Sequence, residues 1–340
     1  MDTDSKRRVA MSSNVVILSN SLDFHADEVE RVLLKRGANV FRLNTDRFSA
    51  DDVRLVFKES GGSSLSIGER TLPFNSVASV LYRRPESLEV NVQDEHQREF
   101  AEKEAGEFFN QLYFGLDVFW VSKYQALEFA RRKLPQLNIA RSLGMSTPLT
   151  LITNSPDEVR DFFRHCRGNI IYKTLKSPVI KPGDGPELWG VPTTRLTSEH
   201  LDYIDLVRST GGIFQEYVDK LYEVRVTVIG REVFAAQIDS QTVPEASVDW
   251  REAVDFQKVK VEAYELPELV ANQCVSIVEA YGLEFGAIDL VRTPSGRYVF
   301  LEINCNGQWL WVEELTGQKL LESMVRLLML EHPYQGKEVI

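Results

Sequence analysis

Three oxygen-bearing side chains, Asp289, Glu302 and Asn304, interrupt two otherwise apolar runs near the end of this 340-residue chain. The runs are Phe285-Gly-Ala-Ile-Asp-Leu-Val-Arg292 and Tyr298-Val-Phe-Leu-Glu-Ile-Asn304, and Thr293-Pro-Ser-Gly296 between them is a hairpin signal. Strand side chains alternate faces, so Glu302 and Asn304 share one. Folding about Pro294–Gly296 sets Asp289 opposite residue 301 or 302, with Cβ atoms roughly 5 Å apart. Two carboxylates at that range repel unless a cation lies between them. Hard oxygen donors with few nitrogens suit Mg²⁺, which takes one or two carboxylates and leaves room for nucleotide phosphates. The competing reading is a solvated strand face with chance acids. It fits polar residues set into apolar strands less well.

Other residue types widen the same chemistry. Lys173 ends an apolar run and precedes a loop with Pro178, Pro182, Gly183, Gly185 and Pro186. It is either an exposed lysine or a point charge for a phosphate oxygen, with loop amides adding donors. Lys133 follows Arg131 and Arg132 and alone would mark a solvated helix face. Glu223, Arg225 and Thr227 alternate onto one strand face. Arg225 there either makes a salt bridge or grips a carboxylate or phosphate with its planar fork. Trp309 and Trp311 alternate on an extended segment and read as core.

The elements that must position these groups follow from local pattern. Val15–Leu18 is a buried strand, Glu28–Arg36 a helix capped by Gly37, and Val40–Leu43 a second strand, which together imply a small parallel sheet. Strands follow at Val53–Phe57, Ser64–Ile67 and Ser79–Tyr82, then a long helix at Glu95–Gly115. One helix is expected over Tyr124–Leu143 despite Pro135, ended by Gly144. Pro148–Ile152 and Ile170–Thr174 are strands around a helix that opens at Asn154–Glu158. From Gly211 onward strands dominate, at Ile213–Tyr217, Glu223–Ile229 and Val233–Ile238; helices are expected at Pro267–Tyr281 and Gly317–Glu331.

Bulk properties narrow the classes. The net charge of -11 argues against a general nucleic-acid binder, which needs a basic face. Three cysteines without a spacing pattern suggest neither a disulfide framework nor a zinc site and fit a reduced cytoplasm. Residues 1–13 are polar, lack the apolar core of a signal peptide and read as a disordered tail. No apolar run approaches the roughly 20 residues needed to span a bilayer, so no membrane partner is expected.

Taken together, the motifs resemble the ATP-grasp superfamily, and more narrowly the microviridin or graspetide ligases that cyclise ribosomally made peptides. The resemblance runs from Val15 to about Leu330. It rests on Phe41-Arg-Leu-Asn-Thr-Asp-Arg47, Leu81-Tyr-Arg-Arg-Pro85, Ala130-Arg-Arg-Lys-Leu-Pro-Gln-Leu137, Gly144–Asn154 and Ile171-Tyr-Lys-Thr174. In the C-terminal part it rests on Phe214–Gly230, Ala235-Ala-Gln-Ile-Asp-Ser240, Asp249-Trp-Arg251 and Leu301–Trp309. It implies an α/β (α+β) ATP-grasp fold. Residues 14–122 would form an N-terminal α/β pre-grasp domain, 123–212 a small central domain and 213–340 a C-terminal antiparallel-sheet domain.

The resemblance also implies roles. Asp289, Glu302 and Asn304 look like Mg²⁺ ligands, and Lys133 and Lys173 like the two phosphate lysines. Gln215, Glu216, Tyr217 and Val218 resemble the adenine hinge, and Glu223 the acid near ribose or metal. Arg225 resembles the arginine beside the transferred phosphoryl group, with Lys173 alongside, and Arg83 and Arg84 line the acceptor side. The implied partners are ATP, Mg²⁺ and a ribosomal precursor peptide. That peptide has a leader, held by the central domain, and a core of Thr, Ser or Lys with Asp or Glu. The Gly/Pro loop after Lys173 would be a lid, and a homodimer is expected. Cys305 stands where the family commonly has proline. Two other readings share the nucleotide site: a ligase that adds free amino acids to a protein or peptide tail, as glutamate ligases do, and a regulatory module that binds nucleotide without turnover.

Overall fold

A computed structural model describes residues 14–58, 62–85, 90–176, 179–180, 189–252 and 255–330. The expected tail, and Pro178, Pro182, Gly183, Gly185 and Pro186 of the expected lid, lie outside the described residues. The structure opens with β1 (Asn14–Ser19), α1 (Phe24–Lys35) and β2 (Asn39–Asn44). A small antiparallel sheet of β3 (Val53–Val56), β4 (Ser64–Ile67) and β5 (Arg70–Pro73) leads to β6 (Val77–Tyr82), α2 (Glu95–Gly115) and β7 (Phe119–Val121). Sheet order is β2-β1-β6-β7, all parallel. Val15–Leu18 are wholly buried, as a parallel strand covered on both faces requires. The three-residue β7 and the mixed β5 carry too little pattern to be seen in sequence.

The helix expected over Tyr124–Leu143 is two helices, α3 (Tyr124–Ala130) and α4 (Lys133–Ser142). Pro135 has no amide and its ring collides with the carbonyl four residues back. It is therefore tolerated only in a first turn, and the helix restarts at Lys133 to place it there. The restart puts Lys133 at the head of a helix that faces the site. Next come β8 (Thr150–Thr153), α5 (Pro156–His165), β9 (Ile170–Lys173), β10 (Val179–Ile180), β11 (Trp189–Gly190), β12 (Thr194–Arg195), a 3₁₀ segment at Glu199–Ser209 and β13 (Gly212–Glu216). Of these, β8, β9, β12 and β13 make an antiparallel sheet in the order β12-β9-β13-β8, and β10 pairs separately with β11. Ile170 and Phe214 face α5 through Val159, leaving Ile171, Lys173 and Gln215 for the opposite face.

The third part holds β14 (Tyr222–Ile229), β15 (Glu232–Ile238), β16 (Val261–Ala263), α6 (Glu268–Ala280), β17 (Phe285–Arg292) and β18 (Tyr298–Asn304). Its order is β16-β15-β14-β17-β18, antiparallel throughout. Val224, Val226, Val228, Ile288, Leu290, Phe300 and Ile303 turn one face toward α6 and its Cys274, Ile277 and Val278. Burying such side chains contributes on the order of 1.5–3 kcal/mol each. It also obliges the alternate residues to form the other face.

The C-terminal region departs from expectation. Trp309 and Trp311 are not extended: Trp309 caps and Trp311 lies within α7 (Leu310–Thr316). The expected last helix begins later, as α8 (Leu320–Leu328), because Gly317 adopts φ +70° and ends α7. Trp309 is 1% exposed, in a core shared by α1, α7, α8 and β1. Ser79 Oγ in β6 donates to the Leu328 carbonyl at 2.7 Å, joining the first sheet to the last helix. Among the described residues no helix is long and apolar enough to cross a membrane.

Candidate functional site

Strand register assembles the centre of the site. Arg225 lies opposite Asp289, and Asp289 opposite Glu302, across three adjacent strands. A bulge follows Asp289, because Leu290 pairs with Phe300 and leaves Leu301 over. Leu301 then lines the cleft instead of the core. Asn304, two residues past Glu302, falls on the same face, and its Nδ2 donates to Asp289 Oδ2 (3.1 Å) and Glu302 Oε1 (3.2 Å). The convergence expected from alternation is present.

The carboxylates already hold cations. Arg225 Nη1 donates to Asp289 Oδ1 at 2.8 Å, and Lys133 Nζ reaches Glu302 Oε2 at 2.5 Å. Burial pushes the Glu302 carboxyl up, but Lys133, Lys173 and Arg251 more than reverse this and hold it well below the usual carboxylate range. Burial pushes the Lys173 ammonium down, against the opposing pull of Glu302. Two carboxylates and an amide oxygen, once the Asn304 amide is turned over, are a donor set that fits Mg²⁺ completed by phosphate. Among the described residues no cluster of three or more His, Cys, Asp or Glu side chains could hold a metal without such completion.

A cleft runs from these carboxylates to the β9–β13 sheet. Ile171, Val218, Ile238, Val248, Trp250 and Leu301 give it apolar walls. Lys173, Glu223, Asp289 and Glu302 line its polar side. Gln215 Nε2 donates to Thr150 Oγ1 at 2.9 Å, whereas its buried Oε1 has no partner among the described residues. The Glu216 and Tyr217 amides donate to the Leu149 and Asn169 carbonyls, and the Val218 amide makes no backbone bond among the described residues. Glu223 pairs with Lys220, yet its Oε2 is buried without a partner among the described residues. Burial pushes its carboxyl up to about 7 in spite of Lys220.

Sequence reasoning gave no role to three residues that complete the arrangement. Gln136 of α4 is 1% exposed and reads the β18 backbone in both directions. Its Nε2 donates to the Ile303 carbonyl (3.0 Å), and its Oε1 accepts from the Ile303 amide (3.1 Å). Those bonds fix the helix that carries Lys133 against the strand that carries Glu302. Asp249 grips Arg251 in a bidentate pair at 2.8 and 2.6 Å. The Arg251 charge reaches Glu302 and Asp289. The signal was the Asp249-Trp-Arg251 motif, but no local rule predicts that the loop folds over the cleft.

Arg83 stands apart from the cleft. It follows β6, is 4% exposed, and donates from Nη1 to the Asn306 carbonyl at 2.7 Å. The loop after β18 is thus held from two sides, because Arg225 Nη2 donates to the Gln308 carbonyl at 3.1 Å. Gly307 between them is obligatory. A Cβ there would lie 2.8 Å from Arg225 Nη2 and 2.7 Å from the Ala287 Cβ. Cys305 packs at 4% exposure with its Sγ toward the Leu127 carbonyl.

Comparison with known proteins finds relatives of the fold. Residues 14–128 match the MvdD pre-ATP grasp domain family. The fold is similar to that of the macrocyclase MdnC from Microcystis aeruginosa MRC, solved with its precursor peptide MdnA. That likeness has a TM-score of 0.82 and 29% identity, over 93% of this chain and 99% of that one. It is also similar to a RiPP-associated ATP-grasp ligase of Chryseobacterium gregarium, solved with ADP and a leader and core peptide. Here the TM-score is 0.88 and the identity 25%, over 96% and 100% of the two chains. A probable alpha-L-glutamate ligase of Enterobacter sp. (strain 638) is 26% identical over 204 residues, 59% of this chain. The match spans 64% of that curated relative's length.

Proposed function

We propose, from the premise that this chain is an ATP-grasp protein with an MvdD-type pre-ATP-grasp domain, that it is an ATP-dependent ligase. Its substrate in this reading is a ribosomally made precursor peptide of the microviridin or graspetide kind. The reaction cyclises that peptide by linking an Asp or Glu side chain to a Ser or Thr hydroxyl or a Lys amine, as an ω-ester or an amide. The observation that carries the reading is the joint placement of Asp289, Glu302 and Asn304 with Arg225, Lys133 and Lys173 at the polar end of an apolar cleft. The MdnC complex and the ADP-bound ligase support the peptide and the nucleotide.

In this reading the adenine lies between Ile171, Val218, Ile238 and Leu301, with the Val218 amide as its donor. The unpartnered Glu223 Oε2 takes a ribose hydroxyl. Asp289, Glu302 and Asn304 would hold Mg²⁺, which when bound would supply positive charge to offset that of the phosphates. Lys133 and Arg225 exchange their present carboxylates for phosphate oxygens. A substrate carboxylate oxygen attacks the γ-phosphorus, the bond to the β–γ bridging oxygen breaks, and ADP leaves. The hydroxyl or amine then attacks the acyl carbon, loses its proton, and phosphate departs. Positioning and charge neutralisation do most of this work, and the fixed cations supply both. A homodimer and a leader-binding surface on residues 123–212 belong to the same proposal.

The test is mass spectrometry of synthetic peptides with Thr/Ser- and Asp/Glu-rich cores, incubated with the protein, ATP and Mg²⁺. Loss of one water per bond with stoichiometric ADP supports the proposal. The glutamate-ligase relative favours a second reading, in which the peptide instead gains an amino-acid residue mass. ADP release with neither change would sink both.

A further inference from the structure

The peptide group between Gln308 and Trp309 is held at both of its polar ends by side chains from distant parts of the chain. Its carbonyl accepts from Arg225 Nη2 at 3.1 Å, and its N–H donates to His25 Nε2 at 3.1 Å. His25 Nε2 also takes the Leu310 amide at 3.3 Å. His25 lies in the first turn of α1 and is 8% exposed. Its ring meets the Trp309 ring edge-on, with centroids 5.3 Å apart. A ring nitrogen that receives two N–H groups carries no hydrogen itself. The neutral imidazole therefore bears its hydrogen on Nδ1, which faces Asp23 Oδ1 at 3.6 Å.

A trans peptide is planar, so its carbonyl and its N–H point in opposite directions and turn together. Pinning the N–H on His25 thus aims the carbonyl at Arg225. The aim matters because of what else holds Arg225. Among the described residues its guanidinium donates to Asp289 and to the Gln308 carbonyl, and its Nε has no partner. Once Arg225 leaves Asp289 for a phosphate oxygen, the Gln308 carbonyl is the anchor that remains.

The charged groups that face His25 are Asp23, from the turn before α1, and Arg83 and Arg84, from the segment after β6. The first-turn acid of α7, Glu313, is turned instead to the Leu321 amide (2.6 Å). Burial pushes the His25 imidazolium down, with Arg83 and Arg84 adding to this and Asp23 opposing it. The ring is neutral at neutral pH and takes its proton only on the acid side of the ordinary imidazole range.

We infer that His25 is a positioning residue for Arg225, acting through the Gln308–Trp309 peptide unit, and that protonation of its ring releases that unit and slows phosphoryl transfer. The inference rests on the ligase reading above. A protonated Nε2 sets a third N–H against those of Trp309 and Leu310. The acceptor becomes a donor, and the peptide unit loses its pin.

The test uses the full chain. Gln308–Trp309 is the one Gln–Trp step in the sequence, so carbonyl-labelled glutamine with nitrogen-labelled tryptophan gives a single NMR crosspeak for this unit. Between about pH 8 and pH 5 that crosspeak should move along the titration of the His25 ring. Turnover is read as ADP release with the synthetic core peptides at saturating ATP and Mg²⁺. His25→Leu should lower kcat by roughly tenfold to a hundredfold, the range for a misplaced group at a reacting centre, with the KM for ATP and the affinity for ADP·Mg²⁺ unchanged. His25→Gln, whose amide oxygen accepts without titrating, should restore most of that loss and flatten the acid limb of the wild-type profile. A crosspeak that ignores the His25 titration overturns the inference. So does a His25→Leu kcat equal to that of the wild type, or an acid limb as steep in His25→Gln as in the wild type. If His25→Leu melts early, the crosspeak and the His25→Gln profile decide. A wild type that releases no ADP with any of the peptides would remove the ligase reading, and the crosspeak would still decide whether His25 pins the peptide unit.

Discussion

The two ends of the cleft are satisfied in opposite ways. At the Asp289–Glu302 end every carboxylate has a cation: Arg225 on Asp289 and Lys133 on Glu302. At the Gln215–Glu223 end, one buried oxygen of each side chain has no partner among the described residues. Strong opposite charges in a partly dry site find each other, so a ligand there must displace an existing pair. Here the Gln215 amide oxygen and the second Glu223 oxygen wait for the ligand, although Lys220 already pairs with the first Glu223 oxygen. In the proposed ligase one end therefore exchanges partners and the other adds them. The two ends should respond differently to mutation, pH and nucleotide.

The hardest blow falls on the paired end. Glu302→Gln or Asp289→Asn should lower ATP-dependent peptide dehydration by roughly 10²–10³-fold or more, with the fold kept, because each removes a positioned charge where phosphoryl charge develops. Full turnover of either variant in saturating Mg²⁺, read by mass spectrometry, would mean that the acids hold no metal. Gly307→Ala comes next. A methyl group against Arg225 and Ala287 should cost about 1–3 kcal/mol by overpacking and move the fork off Asp289. A melt shifted downward together with lost turnover is expected; an unshifted melt would show that the loop has slack. Gln136→Leu strands the amide and carbonyl of Ile303, which should cost about 1–3 kcal/mol in denaturant unfolding. It should also loosen Lys133 from Glu302.

The smallest effect sharpens the comparison at the unpaired end. The folded pKa of Glu223 lies near 7, above its ordinary value, so the folded state holds its proton more tightly than the unfolded chain. Its contribution to stability is fullest below the ordinary carboxylate pKa and is lost as pH rises through about 7. Nucleotide binding runs the other way, because a ribose hydroxyl donates best to the ionised form. ADP affinity should rise several-fold between about pH 6 and pH 8 in the wild type and stay flat in Glu223→Gln. A wild-type profile as flat as that of the variant would place the ribose elsewhere.

Much of the central site was legible because strand alternation is a local rule. Glu302 and Asn304 are two apart, Glu223 and Arg225 are two apart, and the turn at Pro294–Gly296 sets which residue faces Asp289. Alternation left residue 301 or 302 open; the bulge at Leu301 decided for 302. The helix break at Pro135 was legible in principle, because a proline needs a first turn. Trp309 and Trp311 misled because two aromatics at alternate positions fit a strand and a short buried helix equally well.

The order of residues by itself determined the strand faces, the apolar core and the types of group available for nucleotide chemistry. Those follow from side-chain period and hydrophobicity, which act over a few residues. Only the tertiary structure decided which cation meets which acid, that Gln136 clamps β18, and that Arg83 lies buried with open donors beside the loop that Arg225 also holds. The Arg225 bonds cross adjacent strands of one sheet and the loop after β18; the Lys133, Gln136 and Arg83 bonds join residues more than a hundred positions apart. They arise from the packing of α4 and of the first sheet against the last, which no short-range pattern encodes.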